Sequence, residues 1–269
     1  MKRILLNAII LFFSLTLSHC YFNPVVNSLL NPAETEDNSI LPGLSLLSNS
    51  SAPFAISLTG QIRNENGSTV TDALLTVTSR TNEMDGLDAS ATTDEGGRFF
   101  IRLSSGNTTF SVTQEGSPYF TFTLRVNSPN DIQVFEIDGN SFPVEVSSFF
   151  SYEPRNQPSF FEMVTSNPYH NEVRVTSPEG FEFYFTDDVI GPEPNQEAQW
   201  LSENLTVVPS ITFGPLTNST SSFYLETSNL TNGATYQITL NSSLRSAGSG
   251  IPLTPRTITF SCVSQCGSL

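Results

Sequence analysis

From Phe54 onward the chain alternates apolar and polar residues in short runs separated by turn-forming residues. Ala55-Ile56-Ser57-Leu58-Thr59-Gly60-Gln61-Ile62 is the first such run. A period of two places successive side chains on opposite faces of an extended strand, one face buried and the other wet. Asn64-Glu65-Asn66-Gly67 follows, and Asn and Gly tolerate the positive φ that a turn demands. The same pattern predicts strands over residues 73–77, 98–103, 109–113, 119–126 and 132–137. Past Asp138-Gly139-Asn140 come an aromatic run at 142–152 and strands at 173–175, 181–185, 205–207, 222–225, 235–240 and 257–260. No stretch beyond residue 53 carries a helical period. The expected fold class is all-β, as two consecutive β-sandwich domains.

The first 53 residues read differently. Met1-Lys2-Arg3 precedes an apolar stretch from Ile4 to Leu17, then Leu17-Ser18-His19-Cys20. A charged start and a short apolar core are the layout of an export signal. A stretch of fourteen residues is too short for a membrane span, which takes about 20. Residues 21–53 hold Pro, Asn and Glu between two leucine- and valine-bearing patches. As a flexible coil this tether reaches on the order of 30 Å.

Charge narrows the partners. The whole chain carries −15, and removal of Lys2 and Arg3 leaves nine basic residues, all arginine, against 26 acidic ones. A mature chain near −17 with no lysine repels phosphate, so nucleic acid is excluded as a partner. Of the three cysteines, Cys262 and Cys266 lie close together near the C-terminus. In an oxidising compartment they form a local bridge; the alternative is two idle thiols.

Three resemblances add to this reading. The Leu17-x-x-Cys20 ending resembles the lipobox of bacterial lipoproteins, in the relaxed spirochaete form. The resemblance implies that Cys20 becomes the acylated first residue; ordinary signal cleavage near Cys20 is the alternative. Residues 54–138 resemble the carboxypeptidase regulatory-like domain, a small transthyretin-like sandwich. Gly60, the Asn66-Gly67 turn, 73–77, Thr93-Asp94-Glu95-Gly96-Gly97-Arg98-Phe99, and Gly106 before Phe110 carry it. Residues 142–262 look like a bacterial Ig-like domain. Leu230-x-x-Gly233-x-x-Tyr236, the Gly250–Leu253 loop and Thr257-Ile258-Thr259-Phe260 carry that one. It implies either a tyrosine corner or a plain core aromatic at Tyr236. The domain boundaries expected are therefore 1–19 signal, 20–53 lipidated tether, 54–138 and 142–262 sandwiches, and 263–269 tail.

Motifs for chemistry are sparse. One mature histidine, His170, cannot supply the nitrogen ligands of a zinc peptidase, and neither His-Glu-x-x-His nor Gly-x-Ser-x-Gly occurs. The acidic turns Asp94-Glu95 and Asp187-Asp188 are the calcium candidates, weighed against a role as simple strand-capping turns. Trp200, the only tryptophan, is either an exposed binding aromatic or a plug over the core. No cofactor is expected, and no enzyme. The expectation is a lipid-anchored outer-membrane protein, surface-exposed or periplasm-facing. It would be held to the membrane through acyl chains on Cys20 and act as a non-catalytic binding or structural module toward a protein or glycan. A surface adhesin, a periplasmic scaffold or assembly partner, and a cryptic glycan-active hydrolase stay open as alternatives.

Overall fold

Sixteen strands and one short helix make up the residues that the computed structural model describes, 52–266. The expectations for the signal, Cys20, the tether and the last three residues of the tail fall outside them.

The first sandwich uses eight strands: β1 (Ala55–Arg63), β2 (Leu74–Arg80), β3 (Ser90–Thr92), β4 (Arg98–Ser104), β5 (Gly106–Gln114), β6 (Ser117–Ser128), β7 (Asp131–Asp138) and β8 (Glu145–Tyr152). A three-stranded sheet, β4-β1-β8, faces a five-stranded sheet, β3-β2-β5-β6-β7. Phe99, Ile101 and Leu103 of β4 alternate inward, as do Phe110 and Val112 of β5 and Phe120, Phe122 and Leu124 of β6. Phe110 and Phe122 stack with centroids 4.8 Å apart. Burying each such side chain is worth about 1.5–3 kcal/mol, which fixes the register because a one-residue slip would turn the whole set to solvent.

The second sandwich holds β9 (Met163–Asn167), β10 (Glu172–Thr176), β11 (Gly180–Phe185), helix α1 (Glu197–Asn204), β12 (Leu205–Val208), β13 (Thr212–Asn218), β14 (Ser222–Ser228), β15 (Ala234–Leu240) and β16 (Arg256–Gln265). Its sheets run β10-β16-β15-β12 and β13-β14-β11-β9. All their pairings are antiparallel except β10 with β16, which run parallel. Phe181, Phe183, Phe223, Phe260 and Tyr236 fill the core. The Tyr236 hydroxyl also accepts a 2.7 Å hydrogen bond from the Thr231 backbone N–H, the geometry of a tyrosine corner.

Three assignments change. The aromatic run at 142–152, read as the start of the second module, forms β8, and β8 pairs antiparallel with β1 of the first. Val146 belongs to the first core. Local alternation marks a strand but not its partner, so the boundary moves from about 140 to the segment after Tyr152. Both sandwiches also fall within one compact unit rather than two separable ones. Trp200 lies on α1 rather than in a loop. Its indole N–H donates to the Ile190 carbonyl at 3.0 Å and its ring meets Phe223 edge-on at 5.4 Å, so it plugs the core. Among the described residues no helix is long and apolar enough to cross a membrane.

Candidate functional site

The second sandwich seats against β1 and the turns around it. The strand is buried on both faces: Leu58 and Ile62 point into the first core, whereas Gln61 and Arg63, of opposite parity, point away from it. A bulge between Thr59 and Gln61 breaks the β1–β8 register. Next to it the Ser148 carbonyl accepts from Arg98 Nη1 at 2.9 Å.

Arg98 is set by the turn before it. In Thr93-Asp94-Glu95-Gly96-Gly97 the Asp94 N–H donates to the Arg98 carbonyl at 2.8 Å, and Asp94 Oδ1 accepts from the Arg98 N–H at 2.8 Å. Gly97 takes φ +68°, and a Cβ there would lie 2.5 Å from the Ile62 carbonyl oxygen. Only glycine meets both demands. The turn thus delivers the Arg98 guanidinium to Glu162, which stands just before β9.

Glu162 Oε1 accepts from Arg98 Nε at 2.9 Å, from Arg98 Nη2 at 2.7 Å and from the Thr254 hydroxyl at 3.0 Å. Glu162 Oε2 lies 3.6 Å from Arg63 Nη2. Arg63 in turn donates to the Gly67 carbonyl and to Gln61 Oε1, while Gln61 donates to the Gly96 carbonyl. Arg63, Arg98 and Glu162 are each 2 % exposed, so this is a buried arginine–glutamate–arginine cluster spanning the two sandwiches. Burial, then the neighbouring Arg256 charge, lowers the Arg63 pKa to about 10, with the Glu162 charge acting against them.

Around the cluster lie further junction contacts. The Thr69 N–H donates to the Val164 carbonyl, Ser68 Oγ meets Thr165 Oγ1 at 2.7 Å, and the His170 N–H donates to the Asn66 carbonyl. Arg256 pairs with Glu145 at 3.0 Å. His170 Nδ1 accepts from the Thr259 N–H, and burial pushes its pKa down, favouring the neutral ring that can accept.

Beside Glu162 a cleft of about 450 Å³ opens between the sandwiches. Asp94, Glu95 and Gly96 line it from the first sandwich, Thr186 and Asp187 from the second, with Arg98, Phe160, Phe161 and Glu162 alongside. Three of the four calcium candidates therefore share one cleft; Asp188 does not line it. Their oxygens are partly committed to their own turns: Asp94 caps Arg98, and Asp187 Oδ1 accepts from the Asp188 N–H. Burial raises the Asp94 pKa, against the pull of its backbone hydrogen bonds and of Arg98. Among the described residues no three histidine, cysteine, aspartate or glutamate side chains gather as a metal-holding group.

Cys262 and Cys266 are bonded to each other, Cα atoms 6.0 Å apart, with Cys262 in the second core. Sequence reasoning missed Glu162. Its signal was a lone carboxylate between Phe160-Phe161 and Met163-Val164, an acid in an apolar stretch that must be buried with a partner. Compared with known proteins, the chain matches no family model and no curated relative.

Proposed function

We propose that this chain is a lipid-anchored protein of the bacterial outer membrane, whose joined sandwiches act as a non-catalytic binding or structural module. One observation carries the reading: Lys2-Arg3, a fourteen-residue largely apolar run and Leu17-x-x-Cys20 stand ahead of described residues that form sixteen strands and one short helix. Several acyl chains on Cys20 would hold such a body permanently at a bilayer, since each buried CH₂ contributes about 0.8 kcal/mol. The junction supports a structural rather than a chemical use of its charges, because Arg63, Arg98 and Glu162 are spent on one another. The resemblance to carboxypeptidase regulatory-like and Ig-like modules points the same way, toward accessory folds with no catalytic residue. The step from fold to binding is analogy.

The test is expression of the full chain in a bacterium with lipoprotein-processing enzymes. Mass spectrometry should find the N-terminal peptide beginning at acylated Cys20. Wild-type protein should partition into detergent and Cys20→Ala into the aqueous phase. An unacylated N-terminus, or equal partition of the two, overturns the proposal. Protease treatment of intact cells then separates an outward-facing adhesin, which is digested, from a periplasmic scaffold, which survives.

A further inference from the structure

The outer face of the five-stranded sheet carries a second recess, far in character from the junction. Residues of β5, β6 and β7 with parity opposite to the core face outward here: Asn107, Thr109 and Ser111, Thr121, Thr123 and Arg125, and Glu136 opposite Thr123. Between Thr123 and Leu124 the β6–β7 register slips by one residue, since Thr123 faces Glu136 while Leu124 faces Val134. Phe135 is the extra residue of this bulge. Bulges re-aim side chains, and this one leaves two successive residues, Phe135 (57 % exposed) and Glu136, both outward on a strand whose Val134 and Ile137 pack on the core.

The ring is held in place. The Arg125 guanidinium carbon sits 4.1 Å from the Phe135 centroid, and Arg125 Nε donates to Asn107 Oδ1 at 3.0 Å. One face of the ring is thus covered and its orientation fixed. Next to it lies a groove of about 300 Å³, lined by Phe135, Glu136, Thr123, Thr109, Asn107 and, at and just past the end of β2, Ser79, Arg80 and Thr81. Its polar groups are complementary in kind. Asn107 has given its oxygen to Arg125, which leaves the amide nitrogen as donor. Thr109 and Thr123 share one hydrogen bond of 3.0 Å, which leaves a hydroxyl hydrogen and lone pairs over. Glu136 makes no ion pair among the described residues and offers a pure acceptor.

We infer that this groove binds a neutral saccharide. A pyranose has an apolar face of C–H groups that seats on the negative face of an aromatic ring, and a rim of hydroxyls that each donate and accept. A fixed ring beside the Asn107 amide and Arg80 guanidinium donors, the Glu136 acceptor and the hydroxyls of Ser79, Thr81, Thr109 and Thr123 matches that pattern. A small apolar ligand would leave the polar rim unpaired, and a polyanionic glycan would meet a mature chain near −17. The inference rests on the proposed binding-module reading and names its ligand class.

The experiment uses the purified full-length protein in detergent micelles. Maltose, cellobiose, lactose and N,N′-diacetylchitobiose are the neutral probes and heparin the anionic one. Binding is read by calorimetry and by amide chemical shifts of Asn107, Thr123, Phe135 and Glu136. At least one neutral probe should shift those amides. Phe135→Ala should weaken it about tenfold, the order expected for one lost stacking contact. Phe150→Ala removes a ring nearly as exposed, 54 %, that lies outside this groove, and should leave affinity unchanged. Phe135→Trp should retain or strengthen binding. No shift with any neutral probe, a response to heparin alone, or equal affinity for wild type and Phe135→Ala each overturns the inference. N-terminal mass on the same sample keeps the two proposals apart. An acylated protein that ignores every neutral sugar sinks this inference alone, and an unacylated one that binds sinks the anchoring alone.

Discussion

Among the described residues, two arginine-over-phenylalanine pairs have almost the same geometry in opposite settings. Arg98 lies 4.0 Å from the Phe160 centroid and Arg125 lies 4.1 Å from that of Phe135. Arg98 is buried and its three nitrogens are taken by Glu162 and the Ser148 carbonyl. Arg125 is half-buried, held by the Asn107 side chain, and its phenylalanine faces solvent. The contact is the same, so what separates structure from availability is desolvation. A charge taken out of water must be satisfied within the fold and then serves only the fold. A charge left at the surface contributes little stability and can orient a neighbour for something else.

The largest effect that would break this contrast is Glu162→Ala. It strands two buried guanidiniums and should cost about 3–5 kcal/mol, read as a lowered urea midpoint. Next comes Gly97→Ala, which forces a side chain into a left-handed conformation and against the Ile62 carbonyl. About 1–3 kcal/mol should be lost in the same assay, since the turn that delivers Arg98 can no longer close.

The rim of the junction sharpens the comparison through pH. Burial alone would raise the Glu145 pKa, but hydrogen bonds from Arg256 and Ser147 and the Arg256 charge outweigh it, and the net shift is downward. A carboxylate lowered on folding stabilises above its unfolded value and loses that contribution as pH falls through the folded one. Wild type should therefore be more stable than Glu145→Gln at neutral pH. The difference should begin to shrink as pH drops below the ordinary 4.5 and vanish once pH falls below the lower folded value. Because the Glu145 side chain is 43 % exposed, the gap should stay under about 1 kcal/mol, measured by thermal melts across pH 3–7. Smallest of all, Arg125→Ala should change stability by no more than about 0.5 kcal/mol. If it matches Glu162→Ala instead, the distinction between the two arginines fails.

Most strands were legible because burial on one face leaves a local imprint, as in Phe99-Phe100-Ile101-Arg102-Leu103. Three were not. β3 is three residues without a strong apolar member, and β9 has no clean period. β13 contains Gly214-Pro215, which reads as a breaker. It is tolerated because β13 is an edge strand whose register shifts between Phe213 and Leu216, where no ladder bond is needed from proline. Helix α1 spans two turns with little apolar content, too short for a period to emerge. Of the site, the Asp94–Arg98 turn and Asp187 were visible as local chemistry. That they share a cleft was not, because their meeting depends on Glu162, 64 residues from Arg98 in sequence. That Phe135 and Glu136 both face outward was hidden for a related reason: the bulge between them and Val134 restarts the parity, and alternation was the only guide.

The place of β1 has a mechanical consequence. It is the middle strand of its sheet, laddered to β4 on one side and β8 on the other. A tug arriving along this strand from the N-terminal side would have to shear both ladders together instead of peeling one. A central strand clamped on both edges is the part of this sandwich best suited to take load.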